Sequence, residues 1–200
     1  MSQTPQFIQL NSQNNSVILE LLPNEAPVWR YWGVRLPDLC QPEAALRDTR
    51  PLPTYMLDFD QPLTVMPTFG VAWMGQSALL AHRAGQDFAQ AFDSCKVQWI
   101  RPEQAVCLLL HDSVAQLQVN ITLDLNPSTN VLSISTQVQN LASTQLDIQW
   151  LAAATLPLPV NSQSVRYYAG QHNNEFIEKN DNLSRSIWKR ESRRGRTSHD

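Results

Sequence analysis

The best-placed acidic pair in this chain is Asp58 and Asp60 in MLDFDQP, where i, i+2 spacing puts both carboxyls on one face of an extended strand. Paired carboxyls are the usual equipment for general acid and base work, provided the environment pushes their pKa values apart. Just before Pro62, however, these two read as acidic turn residues rather than a catalytic couple. His172 and His199 have no second ligand at a useful spacing, so no metal site is read from them and structural hydrogen bonds are their expected role, while His82 and His111 have no context that points to a role. Cys40, Cys95 and Cys107 form an odd set without a CxxC motif, and are read as free thiols, with Cys107 in the apolar run AVCLLL taken as a small core residue.

The second concentration of chemistry is basic. From Lys179 to Asp200 there are seven Lys or Arg and three Asp or Glu, which leaves eight basic and fifteen acidic residues before it in a chain of net charge -3. Clustered arginine can neutralise phosphate, but here it is interleaved with Asp181 and Glu191 and follows an acidic body, so nucleic acid is not an expected partner. Forked contacts of Arg193, Arg194 and Arg196 onto carboxylates or carbonyls at a domain junction suit the pattern better.

The elements that would position these groups read as strands. In AQLQVNITLDLN, Ala115, Leu117, Val119, Ile121, Leu123 and Leu125 alternate with polar residues, which is the period of a half-buried strand. After the turn residues 126–130, VLSISTQVQNL repeats the alternation through Leu132, Ile134, Thr136 and Val138, predicting an antiparallel pair. A third alternation places Leu146, Ile148, Trp150, Ala152 and Ala154 on one face before Pro157 and Pro159. Residues 7–10, 16–22, 28–32, 96–101 and 106–111 are further strand candidates. Only 42–50 and 175–183 read as helical.

Strands without intervening helices predict an all-β fold of antiparallel sheets. With 42% hydrophobic and 16% charged residues, and no repeat or Gly/Ser linker, one globular domain over 1–178 followed by a basic segment over 179–200 is expected. Thirteen Pro against six Gly predicts longer, Pro-led turns in place of tight hairpins. No stretch resembles a leader peptide or approaches the about 20 apolar residues of a membrane span, so the expectation is a cytoplasmic protein without a membrane partner.

The run YYAGQHNNEFIEKNDNLSRSIWKRESRRGRTSHD resembles a signature of bacterial α-galactosidases of glycoside hydrolase family 36. The matching positions are Tyr168, Gly170, Glu175 and Phe176, then Glu191 through His199; WRYWGVRLPD, from Trp29 to Asp38, agrees more loosely with the aromatic and Gly segment near the front of relatives. The resemblance implies a large antiparallel β-supersandwich of two sheets with one or two short helices, acting as the amino-terminal domain of a longer enzyme. That enzyme would hydrolyse terminal α-D-galactosyl residues of sugars such as melibiose and raffinose with retention, needing neither metal nor organic cofactor. Retention takes two carboxyls about 5 Å apart; the resemblance places both catalytic Asp residues in a (β/α)8 barrel beyond Asp200, leaving none in this chain. The domain would brace its own barrel and a homo-oligomer interface, with Arg193, Arg194, Arg196 and His199 at the junction and Glu175 and Phe176 as anchor and core residues of a bend.

One segment departs from the family. Where many relatives carry Gly-Asp-x-Arg in the long loop after the first hairpin, a region that leans toward a neighbouring subunit's site in oligomeric members, this chain has PTFGVAWMG, Pro67 to Gly75. With the charged pair missing, Trp73 is the candidate substrate contact, an apolar wall for the C–H face of a pyranose; its alternative role is core or interface packing. A reading from a different class is a carbohydrate-binding module, which needs two or three exposed aromatics in a row on one sheet face. Trp29, Trp32, Trp73, Trp99, Trp150 and Trp188 are scattered, and most fall at expected core positions.

Overall fold

In the computed structural model the described residues are 6–37, 61–159, 161–171, 173–183 and 187–191. They form an all-β, antiparallel structure, as expected, in two compact units that divide between Pro157 and Leu158.

The first unit holds nine strands: β1 Gln6–Asn11, β2 Asn15–Leu21, β3 Val28–Val34, β4 Leu79–His82, β5 Ser94–Arg101, β6 Ala105–Asp112, β7 Leu117–Leu125, β8 Leu132–Asn140 and β9 Asp147–Leu151. They assemble as a three-stranded sheet β1-β2-β3, a four-stranded meander β5-β6-β7-β8 and a pair β4-β9. β7 behaves as its alternation demands: Leu117, Val119, Ile121, Leu123 and Leu125 are buried while the residues between them are not. On the same face β6 contributes Val106, Leu108 and Leu110, and β1 and β2 contribute Ile8, Leu10, Val17 and Leu19 to the same cluster. The two larger sheets therefore share one core, a sandwich in which each fully buried Leu or Ile stabilises by about 1.5–3 kcal/mol relative to exposure.

The ends of the sandwich are tied by turns. Asn126 Oδ1 accepts from the backbone N–H groups of Ser128 and Thr129, holding the β7–β8 turn. Asn130, at φ 60°, accepts at Oδ1 from Ser12 Oγ at 2.8 Å and Asn14 N at 3.0 Å, linking that turn to the one between β1 and β2. Such positive φ suits Asn, whose short polar chain tolerates the left-handed region.

The second unit is a ribbon of β10 Ser164–Gln171 and β11 Asn174–Asn182, joined by a turn in which Glu175 Oε1 accepts from Asn173 N. Trp188 packs on Tyr167 at 5.3 Å and donates to Asp181 Oδ2, and the Arg190 guanidinium lies 5.4 Å over the Tyr167 ring.

Four expectations need correction. The helix expected at 175–183 is instead strand through Asn182, because backbone pairing with β10 from Ser164↔Asn182 to Gln171↔Asn174 outweighs the modest helix propensity of Glu, Ile and Lys. Phe176 is 62% exposed rather than a core residue. Cys107 is half-buried on the face of β6 opposite Val106 and Leu108, and Cys95 packs against the core instead; burial first, and then the nearby Cys107, push its thiol up to about 12. Finally, only Trp29 of the tryptophans is buried, at 7% exposure; Trp32, Trp99 and Trp150 are over 40% exposed, each on an outermost strand of its sheet, β3, β5 or β9, where no further described strand pairs alongside. The helix expected at 42–50, together with Asp58, Asp60, Cys40, His172, Arg193, Arg194, Arg196 and His199, lies outside the described residues.

Candidate functional site

The segment that departs from the family pattern is built onto the start of β3. Trp29 N donates to Leu63 O at 3.0 Å and Val65 N to Pro27 O at 2.8 Å, while Thr64 makes an isolated bridge with Val28. Val65 and Met66 plug this segment into the core, and Ala78 N donates to Pro67 O where the chain returns toward β4. Between these anchors Phe69–Val71 form a single 3₁₀ turn closed by Ala72 at φ 58°, whose N–H donates to Phe69 O.

The turn is clamped to a second buried segment by one carbonyl. Thr68 Oγ1 donates to Gln90 O at 2.7 Å and Gly70 N donates to the same oxygen at 3.1 Å. The buried Gln90 side chain is itself fixed, its amide donating to Ala81 O and Asp87 O at 2.7 Å each. Gly70 must be Gly here, since a Cβ would stand 2.2 Å from Gln90 O.

Trp73 follows this clamp and is half-buried. Its indole Nε1 donates to Gln76 O at 3.2 Å, and the ring lies so near Gly75 that a Cβ there would fall 2.8 Å from Nε1. Trp73 is thus folded against the backbone that follows it, at Gly75 and Gln76. It lines a cleft with Glu25, Thr64, Thr68, Val71 and Phe92. In the same loop Phe69 and Met74 stand exposed, giving it an apolar surface. The chemistry on offer is apolar stacking plus one or two hydroxyls, which suits the contact of a polyol ring and not its hydrolysis.

Among the described residues no three His, Cys, Asp or Glu side chains gather as a metal site. The acidic and histidine side chains that do meet serve structure. Asp93 accepts from Ser113 N and faces His111 Nδ1 at 3.5 Å; the hydrogen bonds with Ser113, and then His111, hold its carboxyl below the ordinary value. His82 faces Asp147 at 3.7 Å across the β4–β9 pair. Of the residues singled out from the sequence, Trp73 is one that lines a cleft. Thr64, Thr68 and Gln90 were not singled out, because burial and a shared carbonyl leave no motif to read.

Comparison with known proteins matches residues 25–200 to the glycosyl hydrolase family 36 N-terminal domain. The chain is 28% identical over 194 residues to an α-galactosidase of Escherichia coli, covering 97% of this chain and 26% of that one. Among solved structures, the α-galactosidase AgaA of Geobacillus stearothermophilus superposes with a TM-score of 0.79 at 17% identity, over 97% of this chain and 30% of its own. A raffinose complex of an AgaA variant gives 0.76 at 17% identity, with the same coverage. The α-galactosidase of Lactobacillus brevis gives 0.70 at 16% identity, over 92% of this chain and 28% of its own. The chain thus spans about a quarter of the curated relative's length. A family match across all but the first strands, carried by the same β architecture in solved relatives, places this chain in the glycosyl hydrolase family 36 N-terminal domain family.

Proposed function

We propose that this domain is the non-catalytic amino-terminal part of a cytoplasmic α-galactosidase that removes terminal α-D-galactosyl residues from melibiose and raffinose with retention. The observation that carries this reading is the family match over 25–200, together with the chemistry that match leaves to other residues. Retaining hydrolysis takes a nucleophilic carboxylate and an acid/base carboxyl about 5 Å apart, one with a raised pKa. In the proposal both Asp residues belong to a (β/α)8 barrel joined through 179–200, with 1–178 as scaffold. Arg193, Arg194, Arg196 and His199 contact that barrel, and the domain also braces a homo-oligomer. No cofactor takes part. The test is direct: the 200-residue chain releases no galactose from a chromogenic α-galactoside, whereas the chain continued through the barrel does. Release by the 200-residue chain alone would overturn the division of labour.

Trp73 is the proposed sugar wall, supported by its place in a clamped loop with an apolar surround. In the longer enzyme Trp73→Ala raises the KM for raffinose about tenfold with kcat little changed, the pattern of lost ground-state binding. An unchanged KM refutes the wall. The carbohydrate-module reading gains little support from the exposed tryptophans: Trp32, Trp99 and Trp150 stand on β3, β5 and β9, strands of three different sheets, and form no row.

A further inference from the structure

Residues 83–86, directly after β4, make a tight turn in which Arg83 and Gln86 exchange backbone N–H to O bonds at 2.8 Å in both directions. Its central residues, Ala84 at φ 48° and Gly85 at φ 82°, are both left-handed, and Ala84 bears a strain there that glycine would not. A bond from His82 steadies the turn: its Nδ1 accepts from Gly85 N at 3.3 Å. To accept, Nδ1 must carry no proton. Yet the same nitrogen lies 3.7 Å from Asp147 Oδ2 on β9, and a carboxylate only accepts. The two partners therefore require opposite states of one atom, Gly85 the neutral imidazole and Asp147 the imidazolium. Gln149, 3.2 Å from Nε2, tolerates either, because an amide can donate or accept. Of the other charges nearby, Arg83 is engaged with the carbonyls of Ala115 and Thr144, and Asp87 follows the turn with an exposed side chain. The turn is also joined to the Trp73 loop. Ala81 O and Asp87 O, on either side of it, both accept from the buried Gln90 amide, and Gln90 O holds Thr68 and Gly70.

We propose that this turn is a proton-operated latch on the Trp73 loop. Neutral His82 keeps Gly85 N–H bonded and the latch shut. When the imidazole takes a proton from solvent, Nδ1 becomes a donor and turns from Gly85 to Asp147. The turn then loses the bond that steadied its left-handed residues, Asp87 O shifts with it, and Gln90 carries the change to the carbonyl that clamps the 3₁₀ turn. Imidazole is the side chain that changes charge between about pH 8 and pH 5, so the loop is held near neutrality and loosened in mild acid. The inference does not depend on what Trp73 touches.

The 200-residue chain is titrated from about pH 7.5 to about pH 5 and followed by nitrogen–proton NMR. The Gly85 amide and the Trp73 indole Nε1–H shift on one curve, and His82→Gln, which takes up no proton, loses both shifts. Asp147→Asn keeps them and moves the midpoint to lower pH, since the carboxylate that favours the imidazolium is gone. Both variants keep the parent's dispersed spectrum at neutral pH, because neither residue belongs to the core cluster. His111, whose backbone O accepts from Asp93 N and whose ring faces the Asp93 carboxylate, is the second imidazole close to the Gln90 segment, and His111→Gln leaves both shifts in place. A Gly85 amide that does not move overturns the latch. So does a Trp73 shift that survives His82→Gln, one that vanishes in His111→Gln, or one that is absent while Gly85 titrates. An unmoved midpoint in Asp147→Asn overturns it as well.

Discussion

Gly70 shows how strongly a single missing side chain can govern the Trp73 loop. A methyl group there would meet two backbone oxygens, Gln90 O at 2.2 Å and Ala89 O at 2.7 Å, and neither can swing aside as a side-chain tip would. Gly70→Ala must therefore displace the 3₁₀ turn or the Gln90 segment, at a cost of about 1–3 kcal/mol. Thermal unfolding and tryptophan emission measure it; an unchanged Tm with unchanged emission would show that the clamp does not set the loop. At this scale only part of the site was legible beforehand. Trp73 announces itself by type, an aromatic in a loop that lacks the family's charged pair. Gly70 does not, because it matters through a carbonyl twenty residues away in sequence.

At the scale of elements, legibility followed the contrast between the two faces of each strand. β7 and β8 carry one apolar and one wet face, so their period and their pairing from Leu117↔Asn140 to Leu125↔Leu132 could be read directly. β11 offers no such contrast, since nearly all its side chains are exposed, and its Glu, Ile and Lys mimic a short helix. β4 is only four residues long and pairs with β9 through a register shift at Leu80/Ala81, a partnership no local pattern encodes. Arg83, just after β4, compensates for that short strand. Its guanidinium donates to Ala115 O at 2.9 Å, Thr144 O at 3.0 Å and Asn140 Oδ1 at 2.8 Å, joining the turn before β7 to the loop after β8. Arg83→Ala leaves these acceptors without their charged donor and lowers the unfolding free energy by about 1.5–3 kcal/mol. Arg83→Lys falls between, because an ammonium carries the charge without the fork. Urea titration of the three proteins measures both differences, and a Lys variant no better than Ala would mean that planar geometry, not charge, holds the junction.

For the whole molecule, the informative surface is the apolar one it leaves uncovered. On β9, Ile148 and Trp150 are each 48% exposed; on β5, Trp99 and Ile100 are 46% and 55% exposed. The core itself is closed by residues of the larger sheets, with Leu108, Leu110, Leu117 and Leu123 fully buried, so the folded state does not depend on covering these outer side chains. It follows that Trp150→Glu in the 200-residue chain changes the unfolding free energy by no more than about 0.5 kcal/mol, as for other exposed positions. The same substitution in the longer enzyme reads the remainder of the assembly: if β9 is covered there, as the scaffold proposal requires of some apolar face, a charge buried against it costs several times more. Denaturant titrations of both lengths give the difference. A cost near zero in both would show that β9 faces water throughout and that the bracing surface lies elsewhere on the domain.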